Sequence, residues 1–176
     1  DEEEVMKELE DRIREVDKKI EDRLRELKER SDRVLDRSRR INKKLKDEIE
    51  DALRRVRRDV DSKDARDVDR IIEELKRRVE ENSRRVEEII RRSRKHVEDL
   101  LRRAKEIIKK LEDEVRKLGG IKEAVDTIER KLRKLEEDLK KVERDNKKLL
   151  DDMERDDRRS LEEIKRILDE LLEKVR

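Results

Sequence analysis

Six polar side chains stand in positions that the rest of the pattern reserves for apolar ones: Ser31, Asn42, Asn82, Ser93, Asn146 and Asp157. They fall on an eleven-residue grid that occurs three times. It runs Leu9, Ile20, Ser31, Asn42, Leu53, then Ile71, Asn82, Ser93, Ala104, Val115, then Ala124, Leu135, Asn146, Asp157, Leu168. Asparagine brings N–H donors and an acceptor, serine a hydroxyl that does both, and Asp157 a carboxylate. Gathered in a dry interior, such groups build a hydrogen-bond network, because each otherwise costs about 1–3 kcal/mol to bury. A water or ligand pocket between two polar layers is the alternative use. Catalysis is a poor match, since one carboxylate among amides and hydroxyls lacks a base–nucleophile pair.

The other reactive residue types are more weakly placed. His96 is the sole histidine and the chain has no cysteine, so the three or four converging ligands of a zinc site cannot be assembled from these residues. His96 stands beside Ser93, Val97 and Leu100, where a packing role at the edge of an apolar stripe suits it. Carboxylate runs such as Glu2-Glu3-Glu4 and Asp151-Asp152 would need a water-excluding cleft to do acid–base work. Interleaved with lysine, as in Glu136-Glu137-Asp138 near Lys140-Lys141, they read instead as a solvated face of i,i+3 and i,i+4 pairs. Basic clusters at Arg54-Arg55 with Arg57-Arg58, and at Arg91-Arg92 with Arg94-Lys95, are flanked by acids. No aromatic residue exists to stack a base, so nucleic acid is not an expected partner. Cofactors and metals are not expected either. A membrane is not, because no apolar run nears about 20 residues and no aromatic marks an interfacial helix.

Helices must position all of these groups. Eleven residues in three turns is about 3.67 per turn, close to the 3.6 of a straight α-helix. The chain of 176 residues contains no proline, and its two glycines are adjacent, Gly119 and Gly120. Glycine suits the residue just past a helix because it enters the left-handed region without a Cβ penalty. The other break is Asp61-Ser62-Lys63-Asp64, where Asp and Ser can cap the next helix and Asp64 with Asp67 imitates a capping box. These breaks predict helices over about 2–60, 64–118 and 121–175, each about 80–85 Å long.

Loops this short make successive helices antiparallel neighbours. They also set register. Facing positions on the first two helices sum to about 124, and on the second and third to about 239. Leu53 then meets Ile71 and Leu168, Leu9 meets Val115 and Ala124, and Ile20 meets Ala104 and Leu135. The same arithmetic puts Asn42 with Asn82 and Asp157, and Ser31 with Ser93 and Asn146. Ser38 and Ser160 also face inward, though into mainly apolar layers. The expected fold is all-α: one elongated, antiparallel, up-down-up three-helix bundle over 1–176, nearly straight or a slightly right-handed coiled coil.

Composition agrees with that fold and with little else. Charged residues are 62% of the chain, against about 25% in ordinary domains, yet the net charge is +2. Such polarity can mean disorder, but here the 30% that is apolar is periodic. Matched helices, minimal loops, surfaces of Glu, Asp, Lys and Arg, and cores of Leu, Ile and Val follow design rules literally. With the eleven-residue grid, the two connections and the two polar layers, the whole chain resembles a de novo designed, parametrically generated helical bundle with buried polar layers. A natural spectrin-like repeat carries core aromatics that are missing here. The resemblance implies a hyperstable structural scaffold or rod with no evolved substrate, no enzyme activity and no required partner. A monomer is then expected. The alternative is a module for helix-mediated interaction or self-assembly, favoured by the pairs Ile89-Ile90, Leu100-Leu101, Ile107-Ile108, Leu149-Leu150 and Leu171-Leu172.

Overall fold

In the computed structural model, residues 1–59, 62–118 and 121–174 are described. They form three helices, α1 (Glu2–Asp59), α2 (Ser62–Leu118) and α3 (Lys122–Lys174), with no strand among them. The protein is an all-α three-helix bundle. Strong helix formers fill each element, with acids in the first turn and bases in the last, as the helix dipole favours. Asp1 caps α1, its Oδ1 accepting the Glu3 N–H at 3.3 Å. The observed ends of α1 and α3 lie within a residue of those expected. The start of α2 differs: it begins at Ser62, which makes Asp64 an acid of the first turn rather than a cap. The expected connections at Asp61 and at Gly119-Gly120 lie outside the described residues.

Two compact units are found along the three helices, each with a segment of every helix. The first comprises Asp1–Ser31 and Arg92–Lys148. Its core is a continuous cluster in which Ile13, Ile20, Ala104, Leu111, Leu132 and Leu135 take part. The expected Ile20–Ala104–Leu135 layer is thus buried in one cluster. Small Ala104 beside two large residues lets the helices approach without a void.

The second unit comprises Asp32–Arg91 and Leu149–Arg176. It holds two apolar clusters. One contains Leu45, Ile49, Ile72, Leu75, Leu161, Ile164 and Leu168, and the other Val34, Leu35, Val86, Ile90, Leu150 and Met153. Here the grid slips by one residue at the start of α2. Ile72 is 0% exposed and Ile71 is 42% exposed, so Ile72, not Ile71, joins Leu53 and Leu168 in the core. The face shared with Val68, Leu75 and Val79, spaced at i,i+3 and i,i+4, selects Ile72. In the first unit Ala124 is only half-buried, and Ile128 and Leu132 carry the stripe instead.

Ion pairs report register within each unit. In the second, Arg39 reaches Glu87 at 2.9 Å, Lys46 reaches Glu80 at 3.5 Å, and Lys76 reaches Glu50 at 3.5 Å. Each step forward on α1 matches a step back on α2, as antiparallel packing demands. In the first, Lys105 pairs with Asp17 at 2.9 Å and Lys28 with Glu98 at 3.0 Å. These contacts stay within about two residues of the register expected from the short loops.

A buried polar network as the candidate functional site

The six grid residues named from the sequence are all buried: Ser31, Asn42, Asn82, Ser93, Asn146 and Asp157. A seventh polar residue, Ser38, is buried with them. Their helices place them inward for the same reason as the leucines beside them, since they share the stripe and not the solvated face.

In the second unit the network centres on Asp157 of α3. Its Oδ1 accepts a hydrogen bond from Asn82 Nδ2 of α2. Its Oδ2 accepts one from the Ser38 hydroxyl of α1 at 2.9 Å. Asn42 does not reach the carboxylate. It turns back along α1, its Nδ2 donating to the Ser38 carbonyl at 2.7 Å and to Ser38 Oγ at 3.1 Å. The chain of donors therefore runs Asn42 to Ser38 to Asp157, with Asn82 arriving from the other side.

This changes one expected layer. Asn42, Asn82 and Asp157 were placed together by loop length, and Ser38 was assigned an apolar layer. The α2–α3 part holds, with Asn82 facing Asp157. On α1 the contact falls one turn earlier, at Ser38. The physical reason lies in reach and direction. Ser38 and Asn42 are four apart and share a face, and a short hydroxyl can pass a hydrogen bond on, being donor and acceptor at once. The inward position of Ser38 was legible from the 100° rule; its choice of partner was not. Asn42 Oδ1 is left buried without a hydrogen-bond partner among the described residues.

In the first unit the Ser93 hydroxyl donates to Asn146 Oδ1, joining α2 to α3 as expected. Ser31 is buried on α1, while Asn146 Nδ2 is buried without a hydrogen-bond partner among the described residues. His96 is exposed, so it is a surface residue rather than one packed at the stripe edge. Ser160, the other inward serine, is half-buried.

Asp157 is a formal negative charge held by neutral donors. Among the described residues, no lysine or arginine makes an ion pair with it, although Arg37, Lys44, Arg158 and Lys165 line the same groove between α1 and α3; Arg37 pairs with Glu154 at 3.2 Å and Lys165 with Glu48 at 3.6 Å. The arrangement can orient the three helices through donors that meet at Asp157. Among the described residues no group of three or more His, Cys, Asp and Glu converges as a metal site, and no helix is long and apolar enough to cross a membrane. No protein-family model matches the chain, and neither the curated proteins nor the solved structures searched contain a match.

Proposed function

We propose that the protein is a structural scaffold of de novo designed type, whose buried polar side chains fix which residues face one another. The observation that carries this reading is the convergence of Ser38, Asn82 and Asp157 from three different helices on one buried carboxylate. Apolar layers alone tolerate a slide of one turn, because leucine and isoleucine pack acceptably in several registers. A polar group forced out of its network cannot slide so freely, since it is then buried unpaired at about 1–3 kcal/mol. A buried asparagine selects register in coiled coils in this way. The reading assigns the chain no catalysis, cofactor or required partner.

Strong helix formers, a capped first helix and three apolar clusters all favour the same structure, which supports a hyperstable fold. The expected melting temperature is above about 90 °C. Circular dichroism against temperature tests it, and a cooperative melt near 50–60 °C would count against the scaffold reading.

The second reading, a module for helix-mediated interaction, has its own observation. Ile41, Leu149 and Ile71 of the second unit and Ile107 and Ile121 of the first are exposed large apolar residues. Light scattering across concentration separates the two. A constant monomer mass favours the scaffold, and a mass that rises with concentration favours association.

A further inference from the structure

Within the second unit, a groove between α1 and α3 opens over Asp157. Its floor is apolar, formed by Val34, Leu45, Met153 and Leu161, all buried core residues. Ile41 stands on its wall and is 53% exposed. Asp157 is committed to the network, one oxygen to Asn82 and the other to Ser38. The charges along the rim are ordered. At one end Arg37 of α1 pairs with Glu154 of α3 at 3.2 Å. At the other end the signs are exchanged, with the acid Glu48 on α1 and the base Lys165 on α3, 3.6 Å apart. The two ends stand one eleven-residue repeat apart on both helices, about 16 Å. Between them lie Lys44 of α1 and Arg158 and Glu162 of α3. Bases and acids balance along this lining, so it favours a surface of matching charge over any single ion.

We infer that this groove is the contact face of a weak symmetric dimer, with a second copy of the chain lying antiparallel across it. The inference rests on the association reading above and names its partner and its face. A two-fold axis perpendicular to the helices reverses their direction, and every contact it makes is reciprocal. Placed halfway between Arg37 and Glu48, the axis sets Arg37 opposite the partner's Glu48. It also falls halfway between Glu154 and Lys165, so Glu154 meets the partner's Lys165. One axis serves both, because the ion pairs hold Arg37 level with Glu154 and Glu48 level with Lys165. Arg158 then comes within one residue of the partner's Glu162. Ile41 lies over the aliphatic stem of the partner's Lys44, about 4–5 Å along the helix from the partner's Ile41. The exchange of sign between the two ends is decisive. Had both bases been on α1, an antiparallel copy would have set base against base. Matched charges orient the two copies, and burial of the exposed isoleucines over the apolar floors supplies the attraction. The groove runs about 20 Å along two helices that together are about 20 Å wide, about half the area per partner of a standard interface, so the dimer is a reversible one.

Sedimentation equilibrium of the full chain, from about 10 μM to about 1 mM, should show a mass that rises from one chain to two and stops there, since a two-fold contact closes on itself. Ile41→Lys, a surface change, should keep the chain monomeric by setting a lysine against the partner's Lys44. Ile107→Lys, in the first unit, should leave the dimer within about twofold of the parent. Arg37→Glu should weaken the dimer at least about tenfold, by facing the partner's Glu48 with a like charge. Adding Glu48→Arg should restore it to within about threefold, although Glu154 and Lys165 of the same chain then face like charges. The guanidinium midpoint of that double variant should stay at or below that of Arg37→Glu. Recovery of mass without recovery of midpoint separates a contact between chains from the ion pairs within one. A chain that stays monomeric at about 1 mM overturns this inference and the association reading together. Association lost in Ile107→Lys but kept in Ile41→Lys overturns the inference alone. So does a double variant that fails to recover, or a mass that climbs beyond two chains.

Discussion

Replacing Asn82 by leucine takes one donor from a buried carboxylate and leaves the rest of the network in place. Asp157 keeps the Ser38 hydroxyl at 2.9 Å but loses its bond from α2. Hydrogen bonds to charged groups contribute about 1.5–3 kcal/mol, and little of this is recovered, because leucine offers Asp157 nothing in exchange. The expected loss is therefore about 2 kcal/mol. With a slope of about 4–5 kcal/mol per molar in guanidinium, the unfolding midpoint falls by about 0.5 M. Replacing Asn42, Asn82 and Asp157 together by leucine should behave in the opposite way. No charge is then left buried, and the remaining Ser38 hydroxyl can bond a carbonyl of its own helix. Exchanging a complete buried polar set for apolar residues is often neutral or stabilising by about 1–4 kcal/mol. The triple variant should match or exceed the parent midpoint. Guanidinium titration followed by circular dichroism measures both. If single and triple variants lower the midpoint equally, the three residues do not act as one network, and the register argument fails.

Ser38→Ala removes both the donor to Asp157 and the acceptor for Asn42, so it should cost about 1–2 kcal/mol, whereas Ser160→Ala should stay within about 0.5 kcal/mol. Ile72→Ala should cost about 2–5 kcal/mol and Ile71→Ala within about 0.5 kcal/mol, a contrast that reads directly which isoleucine is in the core. Arg39→Ala should change stability by less than about 1 kcal/mol despite its 2.9 Å contact with Glu87, because both side chains are solvated, and added salt should shrink even that difference.

Much of the fold was legible because it is carried by local physics. An uninterrupted eleven-residue period with no proline permits long helices only, and helix length with short loops permits antiparallel neighbours only. The burial of all six polar grid residues follows from the same period, which holds through the middle of each helix and slips only at grid positions near helix starts, Ile71 and Ala124. The α2–α3 partners Asn82–Asp157 and Ser93–Asn146 were legible too, since the few residues between the two helices in the sequence limit their register. What the sequence left open were choices between neighbours on one face. Ile71 and Ile72 are equally apolar, and only packing against α1 and α3 decides that Ile72 is enclosed. Ser38 and Asn42 both face inward a turn apart, and only the approach of α3 decides that the hydroxyl takes Asp157 while the amide turns back on its own helix. The groove over Asp157 is of the same kind. Short side chains in a layer signal spare volume, but whether the helices close over it depends on the spacing set by larger residues in the layers on either side.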